Sequence, residues 1–144
     1  MGWEIMRLRE GAGPGDSDFT PVQHGDDRGL FLEWFKVDEL RAATGHQLEL
    51  AQANMSVSRA SSLRGIHFAD VPPGQAKYIT ALRGSLIDYI VDLRVGSPTF
   101  GQWDSVLLDT IHRPAVYLGE GLGQAFRALD DDTTAHYPCS SAYN

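Results

Sequence analysis

A histidine, an arginine and a lysine stand close together near the middle of the 144-residue chain. Arg64 and His67 belong to the run Ser62-Leu-Arg-Gly-Ile-His-Phe68, and Lys77 follows ten residues after His67, beyond the turn Pro72-Pro-Gly74. Histidine titrates near neutral pH, and a guanidinium makes forked contacts with phosphate oxygens. A hairpin through the Pro-Pro-Gly turn is our hypothesis for bringing Lys77 back beside His67.

The spacing of Arg64 and His67 poses a geometric problem. Residues three apart point to opposite faces of a regular strand, because side chains alternate with a period of two. Both side chains can face one ligand only if the chain contains a bulge at Gly65, or a turn before the strand.

Two further groups of polar residues are candidates for ligand contacts. Gln52, Asn54, Ser56 and Ser58 share one face of a predicted strand, which predicts either a solvated outer face or the lining of a polar pocket. The second group is Gly25-Asp-Asp-Arg-Gly-Leu-Phe-Leu-Glu33, a charged turn that enters a strand. Its arginine, like Arg64, is a candidate for binding a diphosphate.

Metal binding is not predicted. No second histidine follows His67 within two residues, His112 and His136 are isolated, and His24 lies in a predicted loop. A catalytic transition metal usually has three or more protein ligands. The one cysteine, Cys139, lacks a partner for an internal disulfide, so we expect a reducing, cytoplasmic location.

Charge and hydropathy argue against two classes of partner. The formal net charge of −7 argues against nucleic acid, which requires a broad basic surface. No apolar run approaches the roughly 20 residues that span a bilayer, and we expect neither a membrane partner nor a signal peptide.

The elements that must position these residues are mostly strands. The best helix candidate is Val37–Thr44, which ends at Gly45. Most of the remaining chain consists of short runs rich in Val, Ile, Leu and Tyr between turn residues, and Ser85–Leu93 alternates with period two. This pattern predicts an all-β antiparallel sandwich or barrel in one domain, residues 1–144.

Five segments, taken in order, resemble the dTDP-4-dehydrorhamnose 3,5-epimerase family. They are Asp27-Arg-Gly-Leu-Phe31, Asn54 with Ser56, Leu63-Arg-Gly-Ile-His67, Gln75-Ala-Lys77 and Val91-Asp-Leu-Arg-Val-Gly-Ser-Pro-Thr-Phe-Gly-Gln-Trp103. The likeness covers roughly residues 20 to 143. It implies a cupin barrel, which is a double-stranded β-helix or jelly roll with little helix. It also implies a homodimer that acts on a dTDP-4-keto-6-deoxyhexose without metal or other cofactor.

The resemblance also implies roles for individual residues. His67 matches the general base, Lys77 the lysine that steadies an enolate oxygen, and Tyr137 the acid on the opposite side of the sugar. Arg64 matches a phosphate-binding arginine, and Tyr143 a tyrosine near the diphosphate. Arg28, Phe31 and Glu33 match positions that contact the nucleotide. In the family, the partner subunit supplies these positions. The remaining substrate-binding candidates are Gln52, Asn54, Asp88 and Gln124.

The chain departs from the family pattern in two ways. Where the family usually has Gly-x-x-His-Gly-Phe, this chain has Gly121-Leu-Gly-Gln-Ala-Phe126, as in antibiotic-sugar branches, and an amide cannot titrate. The family also continues beyond Asn144, so we expect a cupin domain that lacks its carboxyl-terminal part. The aspartate that orients the histidine belongs to that part. Asp88 and Asp92 are the nearest alternatives in this sequence, although each is expected to have partners of its own.

Three functional hypotheses follow. The first is an isomerase of deoxysugar or antibiotic biosynthesis that inverts C3, or C3 and C5, of the sugar. The second is a truncated, weakly active or inactive relic that binds nucleotide sugar. The third, a 3,4-ketoisomerase, fits less well, because those cupins have a His-x-His pattern where this chain has His67-Phe-Ala69.

Overall fold

The computed structural model describes residues 16–142, together with the backbone of residues 6–10. Tyr143, a substrate-binding candidate, lies outside the described residues. Within that part of the chain, no helix is long and apolar enough to cross a membrane.

The described chain forms two large sheets, a small hairpin and one short helix. The elements are β1 (Met6–Glu10), β2 (Asp16–Pro21), β3 (His24–Asp26), β4 (Gly29–Phe31), α1 (Val37–Thr44), β5 (Gln52–Ser58), β6 (Leu63–His67), β7 (Lys77–Arg83), β8 (Leu86–Asp92), β9 (Trp103–Leu108), β10 (Ala115–Leu118), β11 (Leu122–Ala128) and β12 (Thr133–Cys139). The larger sheet has the order β1-β2-β10-β7-β12-β5, and the smaller one the order β6-β11-β8-β9. The strand pairs in all three sheets are antiparallel.

The two sheets face each other across a buried core, which confirms the predicted all-β jelly-roll barrel. Strand β8 shows the principle, since every second residue from Leu86 to Asp92 is buried and the residues between them are half-buried. Apolar residues of both sheets meet in this core, among them Ile79, Val116 and Ala135 from the larger sheet and Ile90, Leu108 and Phe126 from the smaller one.

The helix closes a second core on the outer face of the larger sheet. Leu40 of α1 packs there with Phe19, Tyr78 and Tyr117. The helix ends at Gly45, which adopts φ 74° and donates its N–H to the carbonyl of Arg41. A residue with positive φ is the common way to end a helix, so the predicted helix and its glycine stop are both confirmed.

The stretch that follows β8 folds around one buried carboxylate. Asp92 accepts hydrogen bonds from the backbone N–H of Arg94 at 2.9 Å, from the Arg94 guanidinium at 2.9 Å, and from the hydroxyls of Ser97 and Thr99. Three of the residues that carry the family resemblance therefore build a loop joining β8 to β9. The Arg-x-Gly-Ser-Pro-Thr-Phe-Gly stretch thus forms the connection between these two strands and is anchored on Asp92.

Candidate active site

Strand β6 contains the bulge that the sequence requires. His67 pairs with Gln124 of β11 and Arg64 pairs with Phe126, so the three-residue step on β6 matches a two-residue step on β11. Directly paired residues point to the same face of a sheet. Because Gln124 and Phe126 are buried between the sheets, the bulge at Gly65 turns both Arg64 and His67 toward the barrel interior.

Glycine is required at the bulge for two reasons. Gly65 has φ 121°, a conformation that residues with a side chain rarely adopt. A Cβ atom there would also lie 2.6 Å from the carbonyl oxygen of Gln124 and 2.7 Å from Cα of Ala125. The close approach of β6 to β11, and hence the direction of His67, therefore depends on the absence of a side chain at Gly65.

Gly65→Ala is expected to lower the free energy of unfolding by about 2 kcal/mol, because backbone strain and the clash with β11 add together. The matched control is Gly29→Ala, since Gly29 has a similar φ of 137° but open space where the Cβ would lie. Urea unfolding of both variants measures the difference. Equal losses of stability in the two variants would show that the contact with β11 contributes nothing.

Lys77 reaches the same interior from the opposite sheet. Among the described strands, β6 pairs only with β11, whereas β7 pairs with β10 and β12 of the larger sheet. The hypothesis of a β6–β7 hairpin is therefore wrong: the two strands face each other across the barrel, because long-range pairing decides which sheet each strand joins. Lys77 Nζ lies 5.7 Å from the centre of the Tyr137 ring and 3.4 Å from Gln124 Oε1.

The polar face of β5 lines the barrel interior, which decides between the two predicted alternatives. Gln52, Asn54 and Ser56 are half-buried, and the residues between them are exposed on the outer face. Gln52 Nε2 donates to Asn54 Oδ1 at 3.0 Å, Asn54 Nδ2 contacts Cys139 Sγ at 3.8 Å, and Asn54 lies directly opposite Tyr137 in the pairing of β5 with β12. This row therefore lies next to Tyr137.

The electrostatics of the site suit proton transfer. Although His67 is exposed overall in the single chain, burial of part of its ring lowers the pKa of His67, and the positive charges of Lys77 and Arg64 lower it further. The imidazole is therefore neutral near pH 7, as a base must be. Burial raises the pKa of the Tyr137 phenol, which consequently keeps its proton.

Asp88 and Gln124 lie deeper than the other candidates. Asp88 is completely buried and Gln124 is 6% exposed, and Gln124 Nε2 donates to Asp88 Oδ1 at 2.7 Å. Asp92 is held by the loop after β8. As expected, each aspartate has partners of its own, and neither is hydrogen-bonded to His67. Among the described residues, His67 has no hydrogen-bonded carboxylate.

The candidates near the amino terminus lie on a separate hairpin. Strands β3 and β4 form a two-stranded sheet in which every residue is exposed, including Phe31 at 65%. Arg28 pairs with Asp26 at 2.7 Å, and Glu33 lies 3.8 Å from Lys36. The single chain therefore brings His67, Lys77, Tyr137, Arg64, Gln52, Asn54, Asp88 and Gln124 around one interior, but not Arg28, Phe31 and Glu33.

One side chain of this interior was not predicted as a neighbour of the site. Cys139 is fully buried and stands directly opposite Lys77 in the pairing of β12 with β7. Burial raises the pKa of its thiol, and Lys77 opposes that shift. Since Cys139 is two residues from Tyr137, the period-two alternation of a strand is the signal that places both on one face.

A cavity of about 600 Å³ lies elsewhere, between the end of α1 and the turn joining β10 to β11. It is lined by polar residues that include Asp16, His46, Arg94, Tyr117 and Glu120. None of the candidate catalytic residues lines it, so we assign the site by its chemistry and not by cavity size. Across residues 16–142, no three His, Cys, Asp or Glu side chains converge to hold a metal ion.

Solved structures of enzymes share this architecture. The Mycobacterium tuberculosis rmlC epimerase superposes with a TM-score of 0.94 at 52% identity, over 96% of this chain and 70% of that one. ChmJ from Streptomyces bikiniensis, a 3'-monoepimerase solved in complex with dTDP-quinovose, superposes with a TM-score of 0.89 at 47% identity, over 94% of this chain and 69% of that one.

Sequence comparison agrees with the structural comparison. The dTDP-4-dehydrorhamnose 3,5-epimerase of Mycolicibacterium smegmatis is 55% identical over 138 residues, which are 96% of this chain and 69% of that enzyme. The family model described as dTDP-4-dehydrorhamnose 3,5-epimerase matches residues 14–144. These relatives are isomerases. The chain therefore belongs to the dTDP-4-dehydrorhamnose 3,5-epimerase family.

Proposed function

We propose that this chain epimerises a dTDP-4-keto-6-deoxyhexose at C3, or at C3 and C5, in deoxysugar biosynthesis. The observation that carries the proposal is the convergence of His67, Lys77 and Tyr137 on one interior from two facing sheets. A hydrogen on a carbon beside the C4 ketone is acidic, because its loss gives an enolate. The site has a side chain suited to each step of such a reaction.

The proposed steps follow from the protonation states. The neutral His67 imidazole removes the proton and becomes an imidazolium, while the electron pair moves to the ketone oxygen. The Lys77 ammonium stabilises the resulting enolate oxygen, an effect that is strongest in a dry interior. The Tyr137 phenol returns a proton to the opposite face of the carbon, which inverts it. Solvent then restores both groups to their starting states.

The decisive experiment is proton exchange in deuterium oxide. The protein is incubated with dTDP-4-keto-6-deoxyglucose, and the H3 and H5 signals of the sugar are followed by NMR. One deuterium at C3 identifies a 3-epimerase, and deuterium at both carbons identifies a 3,5-epimerase. Either outcome supports the proposed mechanism, because both use the same base and lysine. Retention of both hydrogens at high protein concentration rules out the enolate mechanism.

A second candidate function is nucleotide-sugar binding without turnover. Its motivation is that His67 is exposed in the single chain and has no hydrogen-bonded carboxylate within residues 16–142. A histidine without such a partner is free to adopt either tautomer, which weakens a general base. Calorimetric binding of dTDP without any deuterium exchange would favour this alternative.

We propose that Arg64 binds the diphosphate. Its Nε donates to Ser58 Oγ at 2.9 Å and one terminal nitrogen donates to the carbonyl of Val57 at 3.3 Å. These two contacts fix the guanidinium on the inner side of β6. Its remaining N–H groups are available to form a forked contact with phosphate oxygens.

Arg64→Lys is expected to weaken dTDP binding about tenfold although the charge is kept, because an ammonium cannot form the forked contact or keep both anchoring bonds. Isothermal titration calorimetry measures the affinity. The control is Arg83→Lys, at a side chain 72% exposed and paired with Asp132. Equal affinities of wild type and Arg64→Lys would remove Arg64 from the diphosphate site.

We propose that two chains form a dimer in which each hairpin β3–β4 contributes to the partner's site. Strand β5 is an edge of the larger sheet, and its outer face exposes Met55 at 62% and Val57 at 55%. Leu30 and Phe31 of the hairpin are similarly exposed. Exposed apolar residues on an open strand edge are typical of a protein interface, and a second copy would cover both surfaces.

Mixing two inactive variants tests this shared site. Arg28→Ala chains and His67→Ala chains, refolded together, are expected to recover about a quarter of wild-type exchange, because half of the dimers are mixed and each has one intact composite site. The control mixes His67→Ala with Lys77→Ala chains, which alter the same barrel and recover nothing. Failure of the first pair to recover, after native mass spectrometry has verified mixing, would refute the crossing hairpin.

A further inference from the structure

The side-chain amide of Gln124 connects two charged groups inside the barrel. Lys77 Nζ donates to Gln124 Oε1 at 3.4 Å, and Gln124 Nε2 donates to Asp88 Oδ1 at 2.7 Å. An ammonium only donates and a carboxylate only accepts, so a single orientation of the amide satisfies both neighbours. The amide therefore has its oxygen toward the lysine and its nitrogen toward the aspartate.

The burial of Asp88 in this position is energetically unfavourable. It is completely buried, and its second oxygen, Oδ2, has no hydrogen-bond partner among the described residues. A buried carboxylate with incomplete hydrogen bonding destabilises a fold unless a nearby positive charge offsets the cost. The pKa of Asp88 is raised to about 7, chiefly because of burial and also because of Asp16, although Gln124 and Lys77 act to lower it.

Lys77 shows the complementary behaviour. Burial lowers the pKa of its ammonium, whereas Cys139 and Asp88 act to raise it. Tyr137, also beside it, remains protonated, and His67 is neutral. Asp88 is thus the carboxylate that acts on Lys77 from the facing sheet, and the amide between them carries no proton that it could transfer.

We propose that Asp88 and Gln124 are positioning residues for Lys77: Asp88 supplies the charge that keeps the lysine an ammonium inside the barrel, and the Gln124 amide aims that ammonium at the ligand. This inference rests on the proposed function, because an enolate oxygen needs a charged lysine. It replaces direct sugar contact as the role of both residues. The fully buried Asp88 is out of reach of a ligand, and both ends of the Gln124 amide are already bonded within the protein.

The composition of the chain makes Lys77 directly observable. The sequence contains two lysines, Lys36 and Lys77. In a Lys36→Arg background labelled with ¹³Cε-lysine, the remaining side-chain signal belongs to Lys77, and its chemical shift against pH gives the pKa of the ammonium without substrate or turnover.

Three substitutions in this background test the arrangement. Asp88→Asn is expected to lower the pKa of Lys77 by about one unit or more, because it removes an opposite charge. Gln124→Met, which keeps the length of the side chain but removes its oxygen, is expected to lower it as well. Gln124→Glu is expected to raise it. Asp104→Asn, which removes the same charge from the same sheet without contacting Lys77, should leave it unchanged.

The outcomes separate the two proposals. Titration curves of Lys77 that coincide in wild type, Asp88→Asn and Gln124→Met would overturn the positioning roles. If Asp88→Asn fails to fold, the two Gln124 variants, with their opposite expected shifts, still decide the question. If the pKa of Lys77 responds to the substitutions as expected but the protein exchanges no deuterium, the positioning roles are supported and only the proposed catalysis is rejected. In an active protein, Gln124→Met should lower kcat more than it raises KM.

Discussion

The His67→Ala variant should lose proton exchange at C3 of the sugar by about 10²- to 10⁴-fold, the usual contribution of a general base. His67 is turned into the barrel by the bulge at Gly65, and its pKa is lowered by partial burial and by two neighbouring cations. It is therefore already deprotonated near pH 7. Deuterium incorporation, followed by NMR with saturating substrate, measures the loss.

Two comparisons make this result specific. Affinity for dTDP should stay within about threefold, because the proposed contact with the diphosphate is made by Arg64 and not by the imidazole. His46→Ala, at an exposed histidine outside the barrel interior, should exchange like wild type. Exchange by His67→Ala within threefold of an active wild type would reject His67 as the base.

The pH dependence of exchange should reflect the same side chain. Because the pKa of His67 is lowered, the neutral base persists below the ordinary histidine value of about 6.5. The rate at pH 6.5 should therefore still exceed half of its value at high pH, and it should fall to half only at a lower pH. A rate that already halves at pH 6.5 or above would contradict the cause assigned here, namely burial next to Lys77 and Arg64.

Asp92→Asn should destabilise the protein by about 3 kcal/mol at pH 7, since hydrogen bonds to a charged group are each worth roughly 1.5 to 3 kcal/mol. The carboxylate receives donors from Arg94, Ser97 and Thr99 on both of its oxygens. An asparagine would present an N–H₂ group to some of these donors, whichever way the amide is turned. Urea unfolding measures the change, and Asp38→Asn, at a helix side chain 90% exposed, is the matched control.

The sign of the pH dependence identifies the charge as the cause. These hydrogen bonds hold the pKa of Asp92 below its usual range, so its stabilising effect is present above the unfolded value of about 3.9 and lost as pH falls through the lower folded value. The difference in stability between wild type and Asp92→Asn should be constant from pH 5 to 8 and shrink below pH 4. Because the pKa of Asp88 is raised, its effect on stability changes with pH in the opposite direction. This effect is the same in both proteins and cancels in their difference. A difference that does not change with pH would mean that lost packing, not lost charge, is responsible.

Local features of the sequence determined the individual elements. The helix Val37–Thr44 has the bounds that its end at Gly45 predicts, and β8 lies within the alternating run Ser85–Leu93. The alternation in β8 likewise predicts that the two faces of the strand differ, and the structure buries one of them. These features depend on backbone geometry over a few residues, which is why the sequence alone was sufficient.

The sequence also determined the chemistry of the site and one of its geometric conditions. The residue types of His67, Lys77 and Arg64 set what the site is able to do. The three-residue spacing of Arg64 and His67 by itself required a bulge or turn if both were to face one ligand, because period two is a property of every strand.

Only the tertiary structure decided which residues face one another. The assignment of β6 and β7 to opposite sheets, the inward direction of the polar row on β5, and the Lys77–Gln124–Asp88 arrangement all depend on pairings between strands far apart in the chain. Such pairings are selected by the packing of the whole core. The entropy that is lost when each loop closes is compensated only by contacts that form once both sheets are present. For the same reason, the alternation of β8 marks Asp88 only as a polar residue on one face, and its complete burial opposite Lys77 arises only when the two sheets meet.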